Sequence, residues 1–181
     1  VAWRGKVFFN SADGHLYCLK AVDGTLLWKF RGLPKDRKDR MIFGNGRLIS
    51  LWPARGGPVL KDGVLYFSSG IWPGTGIFLH ALDAQTGDVI WSNTDSHHLA
   101  EANMDHRVKQ FAGLTPQGYL ALIAGQLVVP CGSQLPGFID PANGKLHQYS
   151  MGWGGREGLP KGSWFVAGAG KYLSHSGDLY D

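Results

Sequence analysis

An all-β chain of short antiparallel sheets is the fold class this sequence predicts, and three observations carry it. Gly and Pro supply 27 and 9 of the 181 residues, which favours frequent turns over long helices. A phrase opened by Gly and closed by a tight turn and a strand recurs along the chain. Within it, apolar residues alternate with a period of two: Leu26, Trp28 and Phe30 share one face, and Val89 and Trp91 repeat the pattern.

The copies are GKVFFNSADGHLYCLKAVDGTLLWKF (5–30), GVLYFSSGIWPGTGIFLHALDAQTGDVIWSN (63–93), GQLVVPCGSQLPGFIDPANGKLHQYS (125–150) and GKYLSHSGDLYD (170–181). Gly5 to Gly24 and Gly125 to Gly144 each span 19 residues; Gly63 to Gly87 spans 24, with the extra length in GIWPGTG. Asp23-Gly24, Thr86-Gly87 and Asn143-Gly144 supply the turns, where Gly accepts positive φ. Trp28 and Trp91 both stand four residues after the turn Gly, the station of a packing plug between modules; Gln148 stands there in the third copy, beside Tyr149.

A sheet this short cannot bury both faces alone. Radial stacking buries them and leaves only short edges, so the expected architecture is a β-propeller of four-stranded antiparallel blades. The chain over 1–181 then holds a partial propeller, about three blades and the start of a fourth. Three blades are too few to close a ring face to face, so further blades are expected from the rest of a longer chain or another subunit. GGPVL (56–60) is the candidate innermost strand, RMIFGNGRLIS (40–50) a small hairpin through Asn45-Gly46, and LAEANMDHRVKQFA (99–112) the one plausible helical stretch.

The formal charge is +4, and RGLPKDRKDR (31–40) interleaves five basic with two acidic residues and no aromatic, the composition of a solvated loop and not of a nucleic-acid surface. Cys18 and Cys131 form no CxxC or haem-attachment motif and are expected as buried thiols. No apolar run reaches membrane-span length. The opening VAWRGKVFF is already strand-like and lacks Met, which points to a processed or partial chain.

DGHLYCLKAVDGTLLWKF and FLHALDAQTGDVIWSN closely resemble the repeats of the PQQ-like (quinoprotein alcohol dehydrogenase-like) β-propellers, whose pattern runs approximately DGxLYALDAxTGxxLW. NGRLISLWPARGGPVLKDGVLYFSSGIWP and LTPQGYL resemble, more narrowly, exported bacterial PQQ-binding-like repeat proteins. Lys20 departs from the pattern where Asp83 and Asp140 keep it. The resemblance implies a periplasmic or extracellular location. For dehydrogenases of the family it implies PQQ with Ca²⁺, held between a Trp floor and an adjacent-cysteine disulfide. This chain has no adjacent cysteines, and no Asp maps onto the catalytic base.

Residues outside the repeat pattern are the candidate ligand-binding set: Arg47, Trp52, Arg55, Trp72 and Gln117. Arg can hold an acidic group bidentately while Trp offers a stacking face; the competing expectation is that they cross-link and cap blades. His97, His98 and His106, with Asp95, Glu101 and Asp105, invite a metal reading, but adjacent histidines diverge on either a strand or a helix, so no metal site is expected. His15, His80, His147 and His175 are expected as hydrogen-bonded sheet residues. No nucleophile elbow, P-loop or dinucleotide motif is present. The expected function is a noncatalytic binding or assembly scaffold of an exported bacterial protein, presenting a protein, small-molecule or sugar site on a propeller face and needing no cofactor. The alternatives are a PQQ-dependent alcohol or sugar dehydrogenase and the propeller part of an electron-transfer assembly.

Overall fold

Two consecutive residues at positive φ close the first turn of each of three sheets: Arg4-Gly5 (46° and 73°), Asp62-Gly63 (50° and 81°) and Ala124-Gly125 (48° and 78°). This two-residue geometry matches the twist of the strands it joins, and Gly fills its second place without a Cβ clash. The structure, a computed structural model, describes residues 1–44, 46–97, 113–132, 134–148 and 164–181.

The chain is all-β among these residues, apart from a 3₁₀ turn at Pro73–Thr75. The first sheet holds β1 (Ala2–Trp3), β2 (Lys6–Asn10), β3 (His15–Lys20) and β4 (Leu26–Arg31) side by side in chain order. A separate hairpin follows, β5 (Met41–Gly44) with β6 (Arg47–Ser50). The second sheet holds β7 (Val59–Lys61), β8 (Val64–Ser69), β9 (Phe78–Asp83) and β10 (Val89–Asn93). The third holds β11 (Ala121–Ile123), β12 (Gln126–Cys131), β13 (Gln134–Ile139) and β14 (Leu146–Gln148), and β15 (Val166–Ala169), β16 (Tyr172–His175) and β17 (Asp178–Tyr180) make a three-stranded fourth. Every strand pair in these sheets is antiparallel. These are propeller blades.

Register makes the repeat physical. Phe8 lies opposite Cys18, and Cys18 opposite Trp28; one blade on, Tyr66 lies opposite Ala81, and Ala81 opposite Trp91. Phe8 and Trp28 meet at 5.8 Å, Tyr66 and Trp91 at 6.0 Å, both tilted. A Cβ added to Gly87, in the next blade's turn, would stand 2.8 Å from the Trp28 ring, and one on Gly144 would stand 2.4 Å from Trp91. Each Trp is thus pressed over the turn glycine of the blade that follows. Tyr149 lies outside the described residues.

The second sheet is buried on both faces. Leu65, Phe67 and Leu82 pack against Phe8, Leu16 and Cys18 of the first sheet, while Tyr66, Leu79 and Ala81 pack against Leu127, Val129 and Ile139 of the third. Full burial of one such side chain stabilises by about 1.5–3 kcal/mol, and the stack provides it from both sides. Cys18 and Cys131 are buried thiols in different sheets, as expected.

The expected inner strand at 56–60 is shifted to 59–61, Gly56 lying instead against the Gly118 backbone and Gly57 under the Tyr119 ring. The hairpin expected at 40–50 forms from β5 and β6; Asn45 and the stretch 99–112 lie outside the described residues. Lys20 keeps the turn geometry of its counterparts: Gly24 N donates to Lys20 O at 2.9 Å, as Gly87 N does to Asp83 O and Gly144 N to Asp140 O at 2.8 Å. What Lys20 cannot do is accept the amides that Asp83 accepts from Gln85 (2.7 Å) and Thr86 (2.9 Å).

Candidate functional site

Strand connections alternate between the two ends of the stack. Turns at 4–5, 62–63 and 124–125, with those at 21–25, 84–88 and 141–145, occupy one end. The other end carries the loops 11–14 and 70–77 and the crossovers between blades, and all five sequence-predicted residues fall there.

The structure does not give them one shared role. Arg47 is exposed at the tip of β6. Trp52 is 5% exposed; its Nε1 donates to the Thr75 carbonyl at 2.7 Å, and the Arg37 guanidinium lies 5.9 Å over its ring. Arg37 also donates to Thr75 O at 2.8 Å and covers Phe78 at 5.4 Å, so the run 31–40 is tied to the GIWPGTG loop. Arg55 is exposed, and its carbonyl accepts from Asn10 Nδ2 at 3.0 Å. Trp72 is 61% exposed, its carbonyl accepting from Thr75 N at 3.0 Å. Gln117 bridges to Cys131, and its amide donates to Pro130 O at 2.9 Å.

Backbone contacts run from blade to blade along this end. Asn10 Nδ2 reaches the Arg55 carbonyl; a Cβ on Gly56 would stand 2.0 Å from Gly118 O, and one on Gly118 1.9 Å from Trp164 O. Glycine at both stations lets the crossovers touch. Around them the surface is apolar and aromatic: Met41, Phe43, Leu48, Trp72, Tyr119 and Trp164 are all more than half exposed.

A concavity that no motif in the sequence marks lies between the first two blades. It is a cleft of about 480 Å³ whose lining includes Phe30, Arg31, Lys35, His80, Val89 and Ser92. His80 is 3% exposed, between Phe30 and Phe67, each 5.1 Å from its ring, and its Nδ1 lies 2.8 Å from Ser92 Oγ. Burial lowers its pKa to about 4, the Gly32 carbonyl acting the other way, so the imidazole is neutral at neutral pH. Arg31 is held 3.3 Å from Asp39. Phe30, Arg31, His80, Val89 and Ser92 come from strands of two blades and look in sequence like ordinary strand positions, while Lys35 comes from the connection after β4, so only the alternation of the strand residues with apolar neighbours could have hinted at them.

His15 and His147 behave as expected, Nδ1 of each lying near Asp13 O (3.3 Å) and Gln126 Oε1 (3.1 Å). Of the histidine run weighed as a metal site, His97 sits edge-on to Phe78 at 6.1 Å, while His98, Glu101, Asp105 and His106 lie outside the described residues.

No protein-family model matches the chain. Over 90 residues it is 34% identical to the dehydrogenase subunit of alcohol dehydrogenase (quinone) from Gluconobacter oxydans (strain 621H), a match covering 49% of this chain and 11% of that protein. The chain thus spans about a tenth of that relative's length. Among solved structures it superposes on quinohemoprotein alcohol dehydrogenase ADHIIG from Pseudomonas putida HK5 with TM-score 0.59 at 16% identity, covering 99% of this chain and 29% of that one. BamB from Moraxella catarrhalis gives TM-score 0.52 at 19% identity, covering 83% and 37%. The chain folds as β-propeller blades, and part of it is similar to a quinoprotein dehydrogenase subunit. Among the described residues, no three His, Cys, Asp or Glu side chains gather to hold a cation, and Trp52 is engaged on its ring and its Nε1. No helix among the described residues is long and apolar enough to cross a membrane.

Proposed function

We propose that this PQQ-like propeller is a noncatalytic binding and assembly scaffold of an exported bacterial protein, working through the end that carries its crossovers. The observation that supports this reading is a division of labour. Repeat residues such as Trp28 and Trp91 are spent on packing between blades, while Arg47, Arg55 and Trp72 and the exposed Met41, Phe43 and Leu48 all face solvent at one end. Exposed apolar side chains gathered on one side of a protein, beside basic residues, are a recognition surface and not a reaction centre.

The relative from Gluconobacter oxydans favours a second reading, in which the chain is a portion of a PQQ-dependent dehydrogenase. Titrating the full-length protein with PQQ and Ca²⁺ separates the two. The scaffold reading expects no stoichiometric quinone absorbance and no alcohol or sugar oxidation with an artificial electron acceptor. Tight binding of one quinone per chain with alcohol-dependent acceptor reduction overturns it in favour of the dehydrogenase.

A further inference from the structure

We propose that the β5–β6 hairpin docks this end of the propeller onto an anionic lipid surface, without crossing it; the inference rests on the scaffold reading and names the partner. Among the described residues, neither strand pairs with any strand but its mate. The register Met41–Ser50, Phe43–Leu48 places Met41, Phe43 and Leu48 on one face, and they are 52, 77 and 67% exposed. Ile42 and Ile49, paired on the opposite face, are half-buried. Ser50, opposite Met41 on that same face, is buried, so the exposed part of the face is apolar, the reverse of a solvated edge ribbon.

Trp72, 61% exposed, belongs to the loop that Trp52 and Arg37, flanking the hairpin, both bond through Thr75 O. Charge completes the pattern. Residues 31–55 hold seven of the 18 basic and two of the 14 acidic residues, so this stretch carries +5 and the rest of the chain −1. Lys35, Lys38, Arg40, Arg47 and Arg55 are exposed within it. A projecting apolar ribbon rimmed by cations suits a headgroup layer, which accepts a convex element and an amphipathic Trp without a matching groove. Basic side chains add attraction to anionic lipid that salt weakens. An acidic protein would satisfy the charges but would need a groove complementary to the ribbon.

The test is co-sedimentation of the full chain with phosphatidylcholine vesicles with and without phosphatidylglycerol. Partition is expected only with the anionic lipid and is expected to fall as salt rises. Phe43→Ser with Leu48→Ser should weaken it on the order of tenfold or more, with an unchanged circular dichroism spectrum. Arg47→Glu, an exposed tip substitution that keeps the ribbon intact, should also weaken it on the order of tenfold. Lys145→Glu, the same charge change at the opposite end, should alter it less than about twofold. No dependence on phosphatidylglycerol, or equal losses for Arg47→Glu and Lys145→Glu, overturns the inference. So does hairpin-dependent capture of soluble poly-glutamate without vesicle binding, which would make the partner an acidic protein. PQQ-dependent oxidation would overturn the scaffold reading while leaving the vesicle result standing, so the two failures are separable.

Discussion

His80 is the residue whose surroundings do most to alter its chemistry. It is enclosed by Phe30, Phe67 and Ser92, and burial depresses its pKa from 6.5 to about 4. The folded chain keeps this imidazole neutral where the unfolded chain already binds a proton. Stability from this group is therefore fully present above pH 6.5 and is lost as pH falls towards 4. The shift corresponds to at most about 3 kcal/mol. His80→Phe should flatten this part of the pH profile: in urea unfolding, the wild type should lose about 2 kcal/mol more than the variant between neutral pH and about pH 4.5. Equal losses would assign the proton uptake to another group.

At the scale of the element, the blade is a unit because one Trp caps the next blade's turn, yet the two copies are not equal. Trp91 Nε1 donates to Pro141 O at 2.8 Å, whereas the buried Trp28 Nε1 has no hydrogen-bond partner among the described residues. Trp91→Phe strands the Pro141 carbonyl and removes a bond; Trp28→Phe removes an unsatisfied donor. The first should cost about 1 kcal/mol more than the second in chemical denaturation, on top of similar packing losses. A larger cost at Trp28 would contradict the placement of the two indole nitrogens. These stations are legible in the sequence, since four residues from turn Gly to Trp is a local, backbone-determined offset. The inner strand is less so: GGPVL reads as strand by composition, but its glycines serve contacts with a crossover 62 residues away, Gly56 against Gly118.

Across the whole molecule, the blades meet where crossover backbones touch. Gly118 has φ +129°, and a Cβ there would meet the Trp164 carbonyl at 1.9 Å; Gly5, at φ +73°, has nothing within 4 Å. Gly118→Ala should therefore cost on the order of 3 kcal/mol, combining backbone strain with displacement of the neighbouring crossover. Gly5→Ala should cost about 1 kcal/mol from backbone conformation alone. Thermal melting of the two variants measures the difference, and similar melting temperatures would mean that the blades do not rely on this contact.

Strand order, turn positions and the packing role of Trp28 and Trp91 were available from sequence alone, because alternation, turn chemistry and short spacing are set by neighbours along the chain. So was the choice of Arg47, Arg55 and Trp72 as residues outside the repeat. Tertiary structure alone decided that Trp52 is an interior clamp on Thr75 while Trp72 stays open, that His80 and Arg31 share a cleft, and that Met41, Phe43 and Leu48 of the hairpin stay exposed while Ile42 and Ile49 are half-buried. The reason is that burial on either face of a ribbon depends on which distant segment packs against it, and a period of two is the same whichever face is covered.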